Sequence, residues 1–439
     1  MKLFLIVLFG IIGLKSNAQI QDTIILRDEV KVTVDTIGGK LKCEPSVVMH
    51  DSVVIVSWND SYGGQSGTGY GICIAWSISH DLGQTFEFGG FLSENKKGVF
   101  GGADSWLSKD SKGNFYLQVL SYKEGIHLYC MANDNLGNWI RLSNPVNSPT
   151  TDKPFLHIQE NDVFWISYTD NQEIFVISSK DHGHTWSTPL LVSGSKNTSR
   201  GGSSITTYKE KVFVSWVEGT ADELWYTIIH QDSTDPPQLL YENSDLKGIL
   251  TPGYSMGFDH EGTSGQVRTP NFTWLNSIKN DLYPVNLTFG TKEDDMSSIL
   301  FFEYSHGSNS WKKSGKAGKV SSSFSRIFAS NSHLGKYPAI LYYDRRECKD
   351  NDCTLTEVYL SILIEEEWND FKMNEEISDW KTVPGDPNYA PVQRNFGDYI
   401  TLASGEDRVI AVWTDGRNGK NEIYSRIIEL RSTTPNKSH

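Results

Sequence analysis

The chain reads as an all-β protein, a seven-bladed β-propeller of four-stranded blades, and two observations lead there. A short strand-like element that ends in an aromatic residue followed two positions on by an acid recurs along the sequence, and no stretch carries helical periodicity. The clear copies are VVIVSWND to Asp60, VFWISYTD to Asp170, VFVSWVE to Glu218, AILYYD to Asp344 and VIAVWTD to Asp415. Two weaker ones, NFYLQVLSY to Tyr122 and DLYPVNLTF to Phe289, complete seven; if one is an insertion, six blades is the alternative.

Each copy is followed by a polar loop and a second β-type run, such as GICIAWSIS, EIFVISS or EIYSRII. Each is preceded by a further apolar segment, such as SVVMH or DYITLA. Four short strands per unit with polar turns between them are the sequence form of a propeller blade. The last unit stops after its third strand near Leu430, and TIILRDEVKVTV, residues 23–34, stands before the first unit. A ring of sheets must dispose of its open edge, so this segment is predicted to supply the outer strand of the last blade.

Residues 1–18, MKLFLIVLFGIIGLKSNA, read as a secretory signal with a lysine, an apolar run and a small-residue ending, cut near Ala18. Residues 19–432 then form one propeller domain and 433–439 a short polar tail, giving an exported, soluble monomer in the periplasm or outside the cell. The formal net charge is −14, and −16 once Lys2 and Lys15 leave with the signal. That balance argues against nucleic acid or an anionic membrane as partner and leaves open a local basic pocket for an anionic ligand. Of five cysteines, Cys348 and Cys353 in CKDNDC are spaced to close a small loop, and Cys43 with Cys73 is a second candidate pair. No spacing suits zinc, no cofactor is called for, and no metal is predicted; CKDNDC is the one place considered for calcium.

A shorter pattern, S-x-D-x-G-x-T-aromatic, occurs at Ser79, Asp81, Gly83, Thr85 and Phe86, and again at Ser179, Asp181, Gly183, Thr185 and Trp186. Both lie between the third and fourth strands of a blade. Glycine supplies backbone freedom there, serine and aspartate bond nearby amides and the ring packs inward, which makes a hairpin staple. The stretch resembles the Asp-box, and two of them on a propeller are similar to the sialidase superfamily and its Asp-box (BNR repeat) relatives. The ending FGDYITLASGEDRVIAVWTDGRNGKNEIYSRI resembles the last blade of secreted bacterial sialidase-like proteins. The resemblance covers nearly the whole chain as a fold and implies a carbohydrate-active propeller whose boxes face away from the catalytic mouth. Sialidases use an arginine triad, an aspartic acid/base and a tyrosine nucleophile. Their first arginine stands in an Arg-Ile-Pro stretch that is absent here, because only Arg27 and Arg141 precede Arg200.

Ligands of propellers bind at the axial mouth, where the innermost strands begin. Counting back 16 to 18 residues from each unit's acid or its equivalent gives Glu44, Asp104, Asp152, Arg200, Arg326 and Asp398, and blade five offers Arg268 at 21. The expectation is a ring split by sign. Arg200, Arg268 and Arg326, with Arg394 nearby, would hold a carboxylate or sulfate. Asp104, Asp152 or Asp398 would serve as general acid. The alternative is that these charges cap strands or pair between blades. Tyr343 and Tyr399 are the candidate nucleophiles, and His260, in the long connection 242–270, is the candidate for proton transfer. Tyr-x-Asp344-x-Arg346 and Trp-x-Asp415-x-Arg417 repeat in adjacent blades, either as local ion pairs or as added substrate contacts. Three functions fit: a glycoside hydrolase of an acidic or terminal sugar, a polysaccharide lyase, and a non-catalytic propeller that binds a glycan or a protein.

Overall fold

A computed structural model describes residues 4–5, 22–34, 36–64, 71–93, 101–194, 200–218, 223–231, 233–243, 272–278, 284–293, 296–319, 326–348, 355–383, 385–386, 393–394 and 396–432. Seven antiparallel sheets form a seven-bladed propeller, and no α-helix occurs among the described residues. Blade 1 runs outward from the axis as Lys42–His50, Val53–Asp60, Cys73–Ser79 and Glu87–Phe91. The innermost strands of blades 2 to 7 are Ala103–Lys109, Thr151–Ile158, Arg200–Tyr208, Thr273–Ser277, Arg326–Leu334 and Thr401–Ser404.

Burial explains the strand sequences. Second strands such as Val53–Asp60 are packed between neighbouring blades on both faces and are buried almost throughout. Outermost strands such as Ser310–Lys316 are largely exposed and polar. The recurring aromatic-x-acid ending has a local cause. The indole N–H of Trp58 donates to Asp60 and that of Trp413 to Asp415, both at 3.2 Å, and the acid also accepts backbone N–H groups of the following turn.

The N-terminal segment closes the ring. Asp22–Leu26 pairs antiparallel with the last strand, Glu422–Ser432, placing Ile24 opposite Leu430 and Leu26 opposite Ile428. Ile24 and Ile25 are buried by this pairing. Hydroxyls bridge successive innermost strands: Ser46 accepts from Leu107 N, Ser204 accepts from Leu275 N, and Thr401 donates to the carbonyl of Pro45 across the seam between blades 7 and 1.

The two S-x-D-x-G-x-T turns share the same bonds around their aspartate. Asp81 accepts from the hydroxyls of Ser79 and Thr85 and from Thr85 N, and Asp181 does the same with Ser179 and Thr185. These bonds hold the Asp181 carboxyl well below its usual range. Gly83 and Gly183 have positive φ and approach the preceding blade, where a Cβ would meet Ile410 or Leu128. The turns therefore fasten one blade to the previous one. Because strands alternate in direction, they lie at the end opposite the starts of the innermost strands.

Cys348 is disulfide-bonded, and residues 349–354 lie outside the described residues. Cys43 and Cys73 are buried thiols, not a bridge. Their strands flank Val53–Asp60, with Cys43 opposite Asn59 and Cys73 opposite Asp60. Two strand spacings, about 9–10 Å, exceed what a disulfide spans. The signal cut site and residues 433–439 also lie outside the described residues.

The closing strand generates a stability prediction. Ile25→Ala removes a fully buried side chain from the seam and should lower unfolding free energy by about 2–5 kcal/mol, read as an earlier urea midpoint at unchanged m-value. An unshifted midpoint would mean that the seam does not limit global unfolding.

Candidate functional site

Five innermost strands begin with the same irregularity. The ladder to the second strand slips between Cys43 and Ser46, Ala103 and Trp106, Asp152 and Phe155, Gly201 and Ser204, and Ile327 and Ser330. In each slip one residue takes the left-handed conformation: Glu44, Asp104, Lys153, Gly202 and Phe328, with φ between 46° and 59°. In blade 7, Gly397 has φ 87° and presents Asp398 as the next residue; a Cβ on Gly397 would stand 2.5 Å from Cγ of Glu44. Left-handed backbone at a non-glycine residue costs about 1–3 kcal/mol.

What the bulges deliver is a cluster at the mouth drawn from blades 1, 2, 3 and 7. The Lys153 ammonium contacts Asp398 Oδ2 at 2.6 Å, Asp104 Oδ1 at 2.9 Å and Glu44 Oε2 at 3.8 Å. Asn59 donates to Glu44 at 2.7 Å and accepts from Asp104 N at 3.1 Å, tying blade 1 to blade 2. Burial pushes the Glu44 carboxyl up, with Asp398 and Asp104 adding to the rise and Lys153 opposing it. Asp152, whose side chain reaches solvent, is raised to about 6 by its enclosed position and by Asp104 and Asp398, against the pull of Lys153. Burial alone would lower the Lys153 pKa; the surrounding carboxylates overcome it and hold the pKa well above the usual lysine value.

Beneath the cluster four rings meet. Trp106 of blade 2 stacks on Trp274 of blade 5 at 5.4 Å and lies 4.1 Å from Phe155 of blade 3 and 6.0 Å from Tyr399 of blade 7. Rings from blades so far apart around the ring can touch only near the axis, so they form a floor under the mouth. Above this floor lies a pocket continuous with open solvent, lined also by Asp104, Lys153, Ser203, Phe272 and Thr273. Burial first, then Glu44 and Asp104, push the Tyr399 hydroxyl far above its ordinary pKa, so it stays protonated.

The residues expected from sequence divide sharply. Glu44, Asp104, Asp152, Asp398 and Tyr399 come together around Lys153. Arg200 and Arg326 stand eighteen residues before their own blade's acid, directly opposite it in the ladder, and are ion-paired to it: Arg200 Nε to Glu218 at 2.8 Å, Arg326 Nε to Asp344 at 3.1 Å. Arg326 also donates to the carbonyls of Ala317 and Lys319. In blades 4 and 6 these arginines therefore form ion pairs inside the blade, two residues away from the bulge. Arg346 pairs with Asp344 and Asp370 and covers the Tyr359 ring; Arg417 pairs with Asp415 and Glu29 and covers Tyr424. Tyr343 is buried against Trp380 and donates to the carbonyl of Thr414 at 2.6 Å. Arg394 lies in a two-residue strand paired with Gly385–Asp386. His260 and Arg268 lie outside the described residues.

Sequence reasoning missed Lys153, Trp106, Phe155, Trp274 and Tyr122. Tyr122 is an exposed ring at the end of blade 2's second strand, with its hydroxyl raised by enclosure in the mouth and by Asp104 and Glu44. It stands where five other blades carry the acid, a substitution visible in the sequence.

No protein-family model matches the chain, and no curated protein matches it. Among solved structures it is similar to an ulvan lyase described as a new family of polysaccharide lyase, with a TM-score of 0.53, 10% identity, and coverage of 92% of this chain and 98% of that one. The α-L-arabinofuranosidase of Fusarium graminearum gives 0.51 at 10% identity with the same coverages. A leech intramolecular trans-sialidase gives 0.42 at 12% identity, covering 92% of this chain and 70% of that one. The fold is therefore one that glycan-active propellers share.

Lys153→Met would leave the carboxylates of the mouth uncompensated and should cost about 3–5 kcal/mol at neutral pH. Glu44 and Asp152 have folded pKa values above their unfolded ones, so their favourable contribution is present at low pH and is lost as pH rises through about 6 for Asp152. The melting-temperature gap between variant and parent should therefore narrow from pH 7.5 to pH 5. A gap independent of pH would mean that the lysine acts by packing alone.

Proposed function

We propose that the protein is an exported carbohydrate-active enzyme, a monomer that hydrolyses a glycosidic bond at the end of a glycan in the axial mouth. One observation carries this reading: carboxylates from three blades converge on a single ammonium from a fourth, directly above a floor of aromatic rings. The resemblance in fold to glycan-active propellers supports it.

The roles follow from the environments. Asp152, raised to about 6 and exposed next to Lys153, is suited to give a proton to the leaving oxygen and to recover it from water. Asp104 lines the pocket and is held by Lys153 with its charge facing the site, where it would stabilise positive charge developing at the anomeric carbon or attack it. Asp398, buried behind the ammonium, fixes Lys153 in place. Tyr399 is kept protonated and its buried hydroxyl donates to the carbonyl of Ser105 at 3.4 Å, so it serves the floor rather than acting as a nucleophile.

The test is incubation with a panel of neutral and acidic glycans, following released reducing ends and ultraviolet absorbance together. Reducing ends without absorbance are expected. Activity should fall as pH rises through about 6, where Asp152 loses its proton. Asp152→Asn should lower kcat by about 10²–10⁴-fold and remove that limb. Absorbance from an unsaturated uronate would replace hydrolysis with elimination, and silence on every glycan by folded protein would leave a binding propeller.

A further inference from the structure

We infer that the mouth takes an uncharged sugar, its ring laid on the aromatic floor and its hydroxyls on the carboxylates, and that it turns away sugars bearing a carboxylate or sulfate. This rests on the reading of the mouth as a glycan site and adds the substrate's charge class, which is opposite to that expected of a sialic or uronic acid site.

The argument is one of charge and of surface. Among the described residues lining the pocket the only cation is Lys153, and Asp398 and Asp104 already hold it at 2.6 and 2.9 Å, with Glu44 third. Of the arginines expected to meet an anion, Arg200 and Arg326 are ion-paired within their own blades, Arg268 lies outside the described residues, and only the backbone of Arg394 is described. An entering carboxylate would have to displace one of these acids from the ammonium while lying beside the others. Like charges at such separations repel strongly where water is largely excluded.

A neutral sugar meets no such opposition. Ionised carboxylates are acceptors only, each with room for several hydroxyl donors, and so match the rim of a sugar ring. The half-buried rings of Trp106 and Phe155 line the pocket and offer apolar surface to its C–H face. The pocket is continuous with open solvent on the side away from the rings. It suits a terminal unit rather than a long chain threaded through the axis, because the floor blocks the way beyond.

The experiment is titration of the full chain, followed by tryptophan fluorescence, with matched pairs: lactose against 3′-sialyllactose, xylo-oligosaccharides against the same bearing glucuronate, and neutral against sulfated galacto-oligosaccharides, with arabino-oligosaccharides as a further neutral set. At least one neutral sugar should bind, with its anionic partner at least about tenfold weaker at low salt and the gap narrowing as salt screens the mouth. Trp106→Ala should weaken neutral binding about tenfold or more, while Trp106→Phe, which keeps an aromatic face, retains most of it. Tighter binding of the anionic member of any pair, or no binding of any neutral sugar, would overturn the inference. Neutral binding without hydrolysis would sink the hydrolytic assignment alone; hydrolysis of an acidic glycan bound more tightly than its neutral partner would sink only the charge class.

Discussion

A propeller has no covalent hoop, and everything described here depends on how this one closes. The strand Asp22–Leu26, laid against Glu422–Ser432, makes one blade from both ends of the described chain, so the seam between blades 7 and 1 is held from both sides. The candidate site sits on that seam. Glu44 comes from the first innermost strand and Asp398 from the approach to the last, and Gly397 is packed so tightly on Glu44 that no larger residue fits. Lys153 then reaches across from blade 3 to bind Asp398, an ionic strap spanning the join. Closure and chemistry share the same few residues.

The bulges are the second determinant. An innermost strand that ran straight into the mouth would direct alternate side chains into the neighbouring blades. The extra residue at its start breaks that alternation and delivers a side chain to the axis. That Glu44, Asp104 and Lys153 all accept left-handed backbone, when a glycine would adopt it freely, means that the surrounding sheet imposes the geometry and the side chain is kept despite it.

How much of this was legible in the sequence follows from how local each signal is. The aromatic-x-acid repeat is a contact between residues two apart on one strand, so it can be counted, and with it the blades. The S-x-D-x-G-x-T turns are likewise complete within seven residues. The mouth was legible only to within two residues. In blades 1, 4 and 6 position eighteen before the acid pairs with that acid inside the blade, whereas position sixteen, at Glu44, Gly202 and Phe328, is the left-handed residue of the bulge. A window spanning both merged arginines that neutralise their own strands with acids that face the axis. Nothing in the sequence marks where the bulge adds its residue, so Lys153 was passed over in favour of its neighbour Asp152. Trp106 and Trp274 read as ordinary strand residues until distant blades brought them together.

One feature of this scaffold reaches beyond the present chain. The starts of the innermost strands are equivalent seats around a common rim, here occupied by glutamate, aspartate, lysine, glycine and phenylalanine. Because the blades are held by their buried second strands and by the seam, the occupant of a seat can change without rewriting the architecture. A single exchange of lysine for acid, or of glycine for arginine, would reverse the sign of the rim. Families built this way can diverge in what they recognise much faster than in how they are built, and the sequence of the frame then carries little information about the guest.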